Sequence, residues 1–392
     1  MNLVAVTSKE LEKQFIAVNV KVNSGNSFYI RPLDKEINDT FNNAKNKHLQ
    51  YSKFCRWVLF NEDKEPIGRI AAFTSTKYIC KGTDFKIGCF GYFDCINNQE
   101  AANMLFNQAK KWLKEEGVEA MDGPINIGDR DKNWGLLIEG FDKEPIYGMS
   151  YNPPYYQQLF ENYGFQNYYN QYYFTIDVHR PLAERYQERY NKFKAKPEYS
   201  ARHIDKRNLK KHASDFATVY NAAWAQHEEA KEITEEQVLK HFDAMKPIMD
   251  ERLIWFTYYK EEPIAMFINI PDVNQYFKHF NGKFGLLQKL QLLLMKRRGV
   301  CKKLIGIAFG VVPKYQTLGV DSFMMQECAN LIQGKDWYHE YEMGWTGDWN
   351  PKMINIYHNL GAEQSRRLVT YRFIFDNKYP FERHPALDYK IK

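Results

Sequence analysis

The stretch "GVVPKYQTLGVDSFMM", residues 310–325, contains the end of one predicted element and the beginning of another. The apolar run 305–312 is typical of a buried strand that stops at Pro313, and a helix is predicted to begin near Gly319. The first N–H groups of a helix lack partners within the helix and carry a partial positive charge, so a phosphate can bind there. The same pattern is also typical of an ordinary strand-to-helix turn.

The amino-acid composition is that of a soluble globular protein. The chain has 392 residues, 44% of them apolar and 26% charged, and this length makes two domains the natural expectation. No apolar run approaches the length of a membrane span, and the first residues lack the pattern of a signal peptide, so we expect a cytoplasmic protein. The net charge of +6 suits an anionic ligand but does not by itself indicate a nucleic acid.

The six cysteines form no CxxC pair, and most of them lie in apolar runs. We therefore expect reduced, buried thiols, and neither a disulfide framework nor a zinc site. The motifs of P-loop proteins, of serine hydrolases with a nucleophile elbow and of HExxH metalloproteases do not occur in the sequence. We expect no metal.

The sequence contains two pairs of similar segments at one spacing. "NEDKEPIGRIAAF" (61–73) matches "YKEEPIAMFINI" (259–270), and "NPPYYQQLFENYGF" (152–165) matches "NPKMINIYHNLGA" (350–362). In the first pair Glu262 aligns with Glu65, and in the second Gly361 aligns with Gly164, so that 262 − 65 and 361 − 164 both equal 197. Two unrelated segments rarely share one offset by chance, and the sequence therefore predicts a tandem duplication.

The duplication predicts two domains of similar fold. We expect a first domain over residues 1–178 and a second over 201–392. The basic, polar stretch 179–200 between them is predicted to be a helix plus linker.

Secondary structure is clearest in the second half. The predicted order is one strand, two amphipathic helices, an antiparallel hairpin split by the turn "KEEP", and then strand, helix, strand, helix and strand. This order gives a mixed sheet with helices packed on it, a fold of the α/β (α+β) class. The predicted elements are 201–205, 209–224, 234–245, the hairpin strands "RLIWFTYY" and "PIAMFINI", 304–312, 319–333, 338–345, 351–360 and the closing strand "RRLVTYRFIFD".

Four features in this order resemble the GNAT superfamily of acyl-CoA N-acyltransferases. They are a hairpin with "EEPIA" at its turn, a strand ending in "GVVP", "QTLGVD" in the place of Q/R-x-x-G-x-G/A, and "WNPKMINIYHNLGA" with a Tyr four residues before a Gly. The resemblance covers nearly all of residues 201–376, and a weaker copy spans 1–178. It implies two tandem GNAT-like domains, with the second one active.

The resemblance implies that the second half binds acetyl-CoA or another acyl-CoA as co-substrate. A glycine lets the backbone approach a phosphate closely, a glutamine can donate a hydrogen bond there, and the strand end would present backbone N–H groups to the thioester carbonyl. The cofactor-binding residues expected on this basis are Val311, Val312, Gln316, Thr317, Leu318, Gly319, Val320 and Asn350.

Two of these positions have more than one interpretation. Asp321 stands where the superfamily has Gly or Ala, and its carboxylate either points away from the phosphate or takes the phosphate's place at the helix N-terminus. Asn350 matches the Asn before the superfamily's last helix, but it is equally a plain N-cap before Pro351.

Acyl transfer to an amine needs a base for the ammonium and an acid for the departing thiolate. Tyr357 matches the acid position of the superfamily, whereas the aligned residue of the first half is Phe160, at 357 − 197. The first half therefore resembles a degenerate copy. Glu340 and Glu342, which share one face of their strand, are the candidate bases. Alternatively, Tyr357 only packs on the sheet, and the two glutamates are edge charges or partners of basic residues.

Two further segments could contribute to a site. The insertion 123–141 has no counterpart in the second half, and Asp129, Arg130 and Trp134 mark it as a candidate acceptor loop. Residues 284–303 combine an apolar face with a basic end that could meet phosphates, an acidic acceptor or a membrane surface. The alternatives are a solvated connection and an ordinary packed helix.

The favoured interpretation is an N-acyltransferase, first of all an N-acetyltransferase, that acts on a primary amine of a small molecule or peptide. We expect a monomer or homodimer without a nucleic-acid or membrane partner. The alternatives are an aminoacyl or long-chain acyl transferase and a non-catalytic binding protein with a duplicated fold. The acceptor cannot be derived from the fold.

Overall fold

The computed structural model describes residues 1–78, 83, 85–130, 132–224, 232–376 and 379–387. The elements of the first half are β1 Asn2–Ala5, α1 Lys9–Val22, α2 Asp34–Thr40, β2 Ser52–Phe60, β3 Pro66–Ser75, β4 Ile87–Cys95, α3 Gln99–Glu115, β5 Ala120–Gly123, β6 Leu136–Glu139, α4 Tyr156–Tyr163, β7 Gln166–Asp177 and α5 Glu184–Lys194. Those of the second half are β8 Tyr199–His203, α6 Leu209–Trp224, α7 Glu235–Met245, β9 Ile254–Tyr259, β10 Glu262–Pro271, α8 Asn274–Phe277, α9 Leu286–Arg297, β11 Lys303–Val311, α10 Val320–Ile332, β12 Glu340–Gly347, α11 Pro351–Asn359 and β13 Glu363–Ile374.

The strands form one continuous mixed sheet, in agreement with the α/β class expected from the sequence. The strand order is β1-β2-β3-β4-β5-β13-β7-β12-β11-β10-β9-β8, and β6 also pairs with β13. Most neighbours are antiparallel, whereas β4 and β5 are parallel and so are β11 and β12. Each half thus contains one parallel pair at the equivalent place.

The two halves exchange their last strands. β13, from the end of the chain, lies between β5 and β7, and β7, from the first half, pairs with β12. The strand pairing therefore does not follow the division into 1–178 and 201–392 that the sequence predicts. The exchange joins the halves through backbone hydrogen bonds on both sides of β7.

The local signals of the second half act as the sequence predicts. The hairpin of β9 and β10 is antiparallel, with Met266 opposite Phe256. Thr234 caps α7 in a reciprocal capping box with Gln237. The Asn350 side chain accepts a hydrogen bond from the Met353 N–H and so caps α11, as one of its two interpretations predicts.

The linker helix α5 belongs to the helical layer of the second half. Its Phe193 ring stacks on Phe323 of α10 at 5.8 Å between centroids, and Lys194 forms an ion pair of 2.8 Å with Glu327. The predicted helix between the two halves therefore packs directly beside the helix that follows the "QTLGV" loop.

Candidate active site

The parallel strands β11 and β12 separate after a short stretch of pairing. Only three residue pairs join them, from Lys303 opposite Glu340 to Ile305 opposite Glu342. Beyond that point β11 continues along β10 up to Val311, and β12 continues along β7 up to Gly347. We call the place where the two strands separate the second-half fork. A cleft of about 380 Å³ opens at this fork.

The cleft is lined mainly by apolar side chains. The two helices beside the fork contribute Met325, Cys328, Ala329 and Ile332 from α10 and Met353, Ile356, Tyr357 and Leu360 from α11. The strands contribute, among others, Phe267, Leu304, Phe309 and Met343. Methionine side chains adapt to irregular apolar partners, so this surface suits a flexible hydrocarbon group.

Tyr357 lies in the cleft at the position that the resemblance implies for the acid. Its hydroxyl donates a hydrogen bond of 2.8 Å to the Gly344 carbonyl on β12. Burial raises the pKa of this phenol above its ordinary value, so it stays protonated at neutral pH. A second tyrosine, the half-buried Tyr341, also lines the cleft. A Cβ at Gly306 would lie 2.8 Å from the Tyr341 Oη, so glycine at that position leaves room for the phenol.

Strand β11 contains a bulge at the fork that the sequence did not reveal. On β10, Ile268 lies opposite Ala308 and Asn269 lies opposite Gly306, so Ile307 has no partner in this register. Bulges leave one residue outside the regular ladder and often occur next to active sites. Ile307 lines the cleft and is 52% exposed.

Asn269 is a polar residue at the fork that the sequence analysis did not select. It is 1% exposed and lines the cleft, and its Nδ2 donates a hydrogen bond of 3.1 Å to the Leu253 carbonyl. Its Oδ1 is buried without a hydrogen-bond partner among the described residues. A buried acceptor of this kind is costly unless a partner arrives. The available signal was an Asn inside the apolar strand "PIAMFINI".

The loop before α10 has the backbone geometry of an anion cradle. Gly319 precedes the helix with φ +94°, Thr317 has φ +68°, and no side chain caps the helix N-terminus. Gln316, Thr317 and Leu318 are exposed, whereas Val320 is buried. The Gln316 side chain donates a hydrogen bond of 3.1 Å to the Val311 carbonyl.

A basic side chain that the sequence did not single out lies at this helix N-terminus. Arg189 of α5 donates a hydrogen bond of 3.1 Å from Nη1 to the Ser322 hydroxyl. A Cβ at Gly319 would lie 2.9 Å from the Arg189 Cδ. Asp321 is close enough to α5 to add to the effect of burial in raising the pKa of Tyr186.

The structure contradicts one backbone role inferred from the sequence. The Val312 N–H was expected to face the thioester carbonyl, but it donates a hydrogen bond of 2.9 Å to the Ile264 carbonyl. Val311 remains in register with Ala265 on β10. The ladder of β10 and β11 extends through this strand end, so the irregular point of the strand is the bulge at Ile307.

Glu340 and Glu342 lie at the paired end of β11 and β12, and neither lines the cleft. Lys303 forms an ion pair of 2.8 Å with Glu340. Glu342 is fully buried, and its Oε1 contacts the Arg366 guanidinium at 2.6 Å and accepts a hydrogen bond from Ser365. These contacts correspond to the alternative interpretation, in which the glutamates are partners of basic residues.

The candidate acceptor loop lies on the first half, away from the cleft. Trp134 is buried there, and its Nε1 donates a hydrogen bond of 2.6 Å to the Tyr169 hydroxyl. Arg130 lies over the Trp134 ring at 5.6 Å, and Asp129 lies 3.3 Å from His48. None of the three loop residues lines the cleft, although Asp129 borders a separate cavity of about 290 Å³.

The equivalent fork of the first half contains only a small cavity, about 90 Å³, which is lined by Tyr92, Asp94 and Pro124 among others. Strands β4 and β5 pair over three residues, but the Ile125 N–H then donates a hydrogen bond of 2.8 Å to the Phe90 carbonyl, so the chain stays beside β4. A Cβ at Gly91 would lie 1.8 Å from the Ile125 carbonyl oxygen. Phe160, which aligns with Tyr357, is fully buried against Phe106 and other aromatic rings.

The cysteines that the structure describes form no disulfide with one another; they are Cys55, Cys89, Cys95, Cys301 and Cys328. Cys80 lies outside the described part of the chain. Within that part there is no group of three or more His, Cys, Asp or Glu side chains that could hold a metal ion. None of the described helices has the length and apolar character needed to cross a membrane.

The overall architecture is similar to solved structures with the GNAT fold, one of them a tandem GNAT protein. A tandem GNAT protein from the clavulanic acid biosynthesis pathway superposes with a TM-score of 0.53 at 8% identity, over 97% of this chain and 99% of that one. The GCN5-related glucosamine N-acetyltransferase region of a fungal multi-domain GH3 β-N-acetylglucosaminidase gives 0.54 at 11% identity, over 95% of this chain and 38% of that one. The chain has the tandem GNAT fold.

Curated proteins similar to this GNAT-fold chain cover it almost completely. The bacterial ceramide synthase of Caulobacter vibrioides (strain NA1000 / CB15N) is 24% identical over 379 residues, 95% of this chain and 96% of that protein. Protein YghO of Escherichia coli (strain K12) is 25% identical over 377 residues, 92% of each chain. No protein-family model matches the sequence.

Proposed function

We propose that this protein is an N-acyltransferase that moves a long acyl chain from acyl-CoA to the primary amine of a long-chain acceptor. The observation that carries the proposal is the apolar cleft of about 380 Å³ at the second-half fork. Its size lies in the range of about 300–1,000 Å³ that accommodates drug-sized ligands. The similarity to a bacterial ceramide synthase supports a fatty acyl donor and a long-chain amine over acetyl transfer.

In this proposal the loop before α10 binds the pyrophosphate of coenzyme A. The uncapped helix N-terminus and the positive φ at Gly319 allow close approach of an anion. Arg189 adds a cation at the same end of the helix. In this proposal the Asp321 carboxylate faces α5 and does not occupy the anion site. An Asp in place of the superfamily's Gly or Ala is then compatible with coenzyme A binding.

The chemistry that follows is direct attack of the amine on the thioester carbonyl. A C–N bond forms, the C–S bond breaks, and the departing thiolate takes a proton from the Tyr357 hydroxyl. The N–H of the bulged Ile307 is the candidate donor to the carbonyl oxygen. Asn269 Oδ1 accepts a hydrogen bond from the attacking amine, whose proton is released to water, and the Tyr357 phenolate then takes up a proton from water. Glu340 and Glu342 keep residues around the fork in place.

The first half supports this site but has no cleft of comparable size at its own fork. We propose that residues 1–178 act as a degenerate GNAT-like domain that supplies β7 to the sheet beside β12. Residues 179–200 supply Arg189 through α5, and residues 201–392 contain the acyl-CoA site. The acceptor loop around Asp129, Arg130 and Trp134 stays a structural part of the first half.

The test is acyl transfer to a long-chain primary amine with acyl-CoA donors from two to eighteen carbons. We expect kcat/KM to rise with chain length and Ala329→Trp, which fills the cleft between α10 and the sheet, to shift the optimum to shorter chains. Asn330→Trp is the matched control, because Asn330 is the next residue of the same helix and is exposed. No transfer with any donor, or a preference for acetyl-CoA in the wild-type protein, would overturn the proposal.

A binding experiment separates the donor site from the chemistry. A ligand that binds only the folded state raises the melting temperature, and at about 100 times its dissociation constant it adds about 2.7 kcal/mol. We expect long-chain acyl-CoA to raise the melting temperature more than acetyl-CoA does. Arg189→Met should reduce this shift, because it removes the charge but keeps much of the side-chain packing.

A further inference from the structure

Helix α9 presents its leucines to solvent. Leu286, Leu287, Leu290, Leu293 and Leu294 are between 45% and 86% exposed. Their spacing of i, i+1, i+4, i+7 and i+8 places them on one face of the helix. Single exposed leucines are common on protein surfaces, but a contiguous apolar face indicates a surface that binds a protein or a membrane.

The opposite face of α9 holds the helix on the protein. Leu292 is buried, and Met295 packs with it against the cluster that contains Phe277 and Phe280. The Gln288 side chain accepts a hydrogen bond from the Gly285 N–H at the beginning of the helix. The exposed leucines therefore do not result from a helix detached from the protein. The helix is docked through its other side.

The surroundings of the leucine face are basic. Residues 273–320 contain nine Lys or Arg residues and no Asp or Glu. Lys289, Arg297 and Arg298 are exposed on or directly after α9, and Lys283 is exposed just before it. An apolar face bordered by cations on one helix is typical of helices that lie in the interface of an anionic bilayer.

The helix is an addition to the duplicated scaffold. It lies in the connection between β10 and β11, residues 272–302, whereas the equivalent strands β3 and β4 are joined by the shorter segment 76–86. The Asp34 N–H donates a hydrogen bond of 2.9 Å to the Gly282 carbonyl and so ties this connection to the first half. The leucine face has no role in the packing of either half.

We propose that α9 docks the protein on an anionic lipid bilayer, with the leucine face inserted among the acyl chains and the basic residues against the headgroups. A helix of 12 residues is too short to span a bilayer. It lies parallel to the surface instead. This partner differs from the expectation from sequence that no membrane is involved, because only the structure shows which face of the helix is exposed.

The test is co-sedimentation of the full chain with vesicles of phosphatidylcholine, with or without phosphatidylglycerol. We expect binding to the anionic vesicles that weakens with added salt. Leu287→Ser/Leu290→Ser/Leu294→Ser should lower the partition coefficient about tenfold or more. The matched control is Phe28→Ser/Tyr51→Ser, which removes exposed apolar side chains of the first half and should leave binding unchanged.

A second pair of variants tests how much the basic residues contribute to vesicle binding. Arg297→Gln/Arg298→Gln should weaken binding to anionic vesicles about tenfold and leave binding to neutral vesicles unchanged. Lys9→Gln/Lys13→Gln on α1 removes two exposed charges elsewhere and serves as the control. The assay contains no acyl donor or amine, so its result does not depend on the proposed reaction.

Three outcomes would overturn the proposal. They are no binding of the wild-type protein to anionic vesicles, equal binding by the triple serine variant, and a dimer in solution that the triple serine variant abolishes. The last result would assign the leucine face to a second copy of the chain. The unfolding curve of each variant is measured as a control. If it matches that of the wild-type protein, a loss of vesicle binding results from the changed surface and not from unfolding.

Discussion

The two halves of the molecule contain the same pair of parallel strands, paired over three residues in each case, but the cavity beside that pair is about 380 Å³ in the second half and about 90 Å³ in the first. In the first half the chain after β5 stays beside β4, and Phe160 completes an aromatic cluster next to it. In the second half β12 turns toward β7, and Tyr357 lies beside the space that remains. The difference shows that the path of the chain after the parallel pair decides how much space the fork leaves for a ligand.

The polar groups follow the same division. The first half has a completed buried network, in which Asp94 accepts hydrogen bonds from Arg69, Asn19 and Tyr156. At the second-half fork, the Asn269 Oδ1 is left without a partner among the described residues. A satisfied network stabilises the fold, whereas an unsatisfied group at a cleft can bind a ligand.

Among the variants that test the difference between the two halves, we expect Tyr357→Phe to have the largest effect on activity. The variant keeps the ring packed on Phe174 but removes the proposed acid, so kcat should fall by about 10²–10⁴-fold. The free energy of unfolding should change by only about 1 kcal/mol, because one hydrogen bond to Gly344 is lost. Steady-state kinetics and thermal unfolding measure both quantities. A kcat within twofold of the wild-type value would remove Tyr357 from the acid role.

We expect Arg69→Met in the first half to lower the free energy of unfolding without a specific effect on the catalysed reaction. Asp94 is then buried without its cation, and breaking a buried pair costs about 3–5 kcal/mol. Urea unfolding gives the difference. The control is Arg202→Met, since Arg202 pairs with Glu261 at the surface, where such pairs contribute at most about 1 kcal/mol. Equal effects of the two variants would contradict a structural role for the first-half network.

We expect Asp272, which lies where the two halves meet, to make the free energy of unfolding depend on pH. Its Oδ1 accepts hydrogen bonds from the Tyr147 and Asn274 N–H groups, and Lys303 and Glu342 are the charged groups beside it. Burial, opposed by those N–H groups and by Lys303, raises its pKa from 3.8 to about 6. The folded state therefore holds the proton more tightly than the unfolded state. The stability from this group is complete below pH 4 and is lost as the pH rises through about 6.

The measurement compares the wild-type protein with Asp272→Asn, which keeps an Oδ1 acceptor but does not titrate. The unfolding free energy of the wild type, relative to the variant, should fall by about 3 kcal/mol between pH 4 and pH 7. Urea unfolding across that range gives the curve. A constant difference between the two proteins would mean that Asp272 has the same pKa in the folded and unfolded states.

The smallest effect is expected from Phe160→Tyr, which gives the first half the residue found at the equivalent position of the second. Phe160 is fully buried and its ring lies 5.1 Å from Phe93 and 5.8 Å from Phe90. A hydroxyl among these rings loses its water without gaining a partner, so we expect a loss of about 1–3 kcal/mol and no gain in activity. A stable variant with acyl-CoA binding in the first half would break the comparison.

The sequence by itself determined the duplication, the element order and the fold. These follow from short-range physics, because apolar periodicity, the turn "KEEP" and caps such as Thr234 and Asn350 act within a few residues. The resemblance to the GNAT superfamily, and not this local physics, selected Tyr357 and the loop from Gln316 to Gly319. These residues could be named because each lies in a short segment that resembles a motif of the superfamily.

Only the tertiary structure decided which parts of the chain meet. The exchange of β7 and β13, the narrow fork of the first half and the approach of Arg189 to α10 join residues far apart in sequence. One shift in the register between β10 and β11 determines the positions of Asn269 and Ile307 at the fork. No local sequence pattern predicts this shift. Likewise, the periodicity of α9 predicts an apolar face. Burial of the other face, on the cluster around Phe280, is what leaves the leucines exposed.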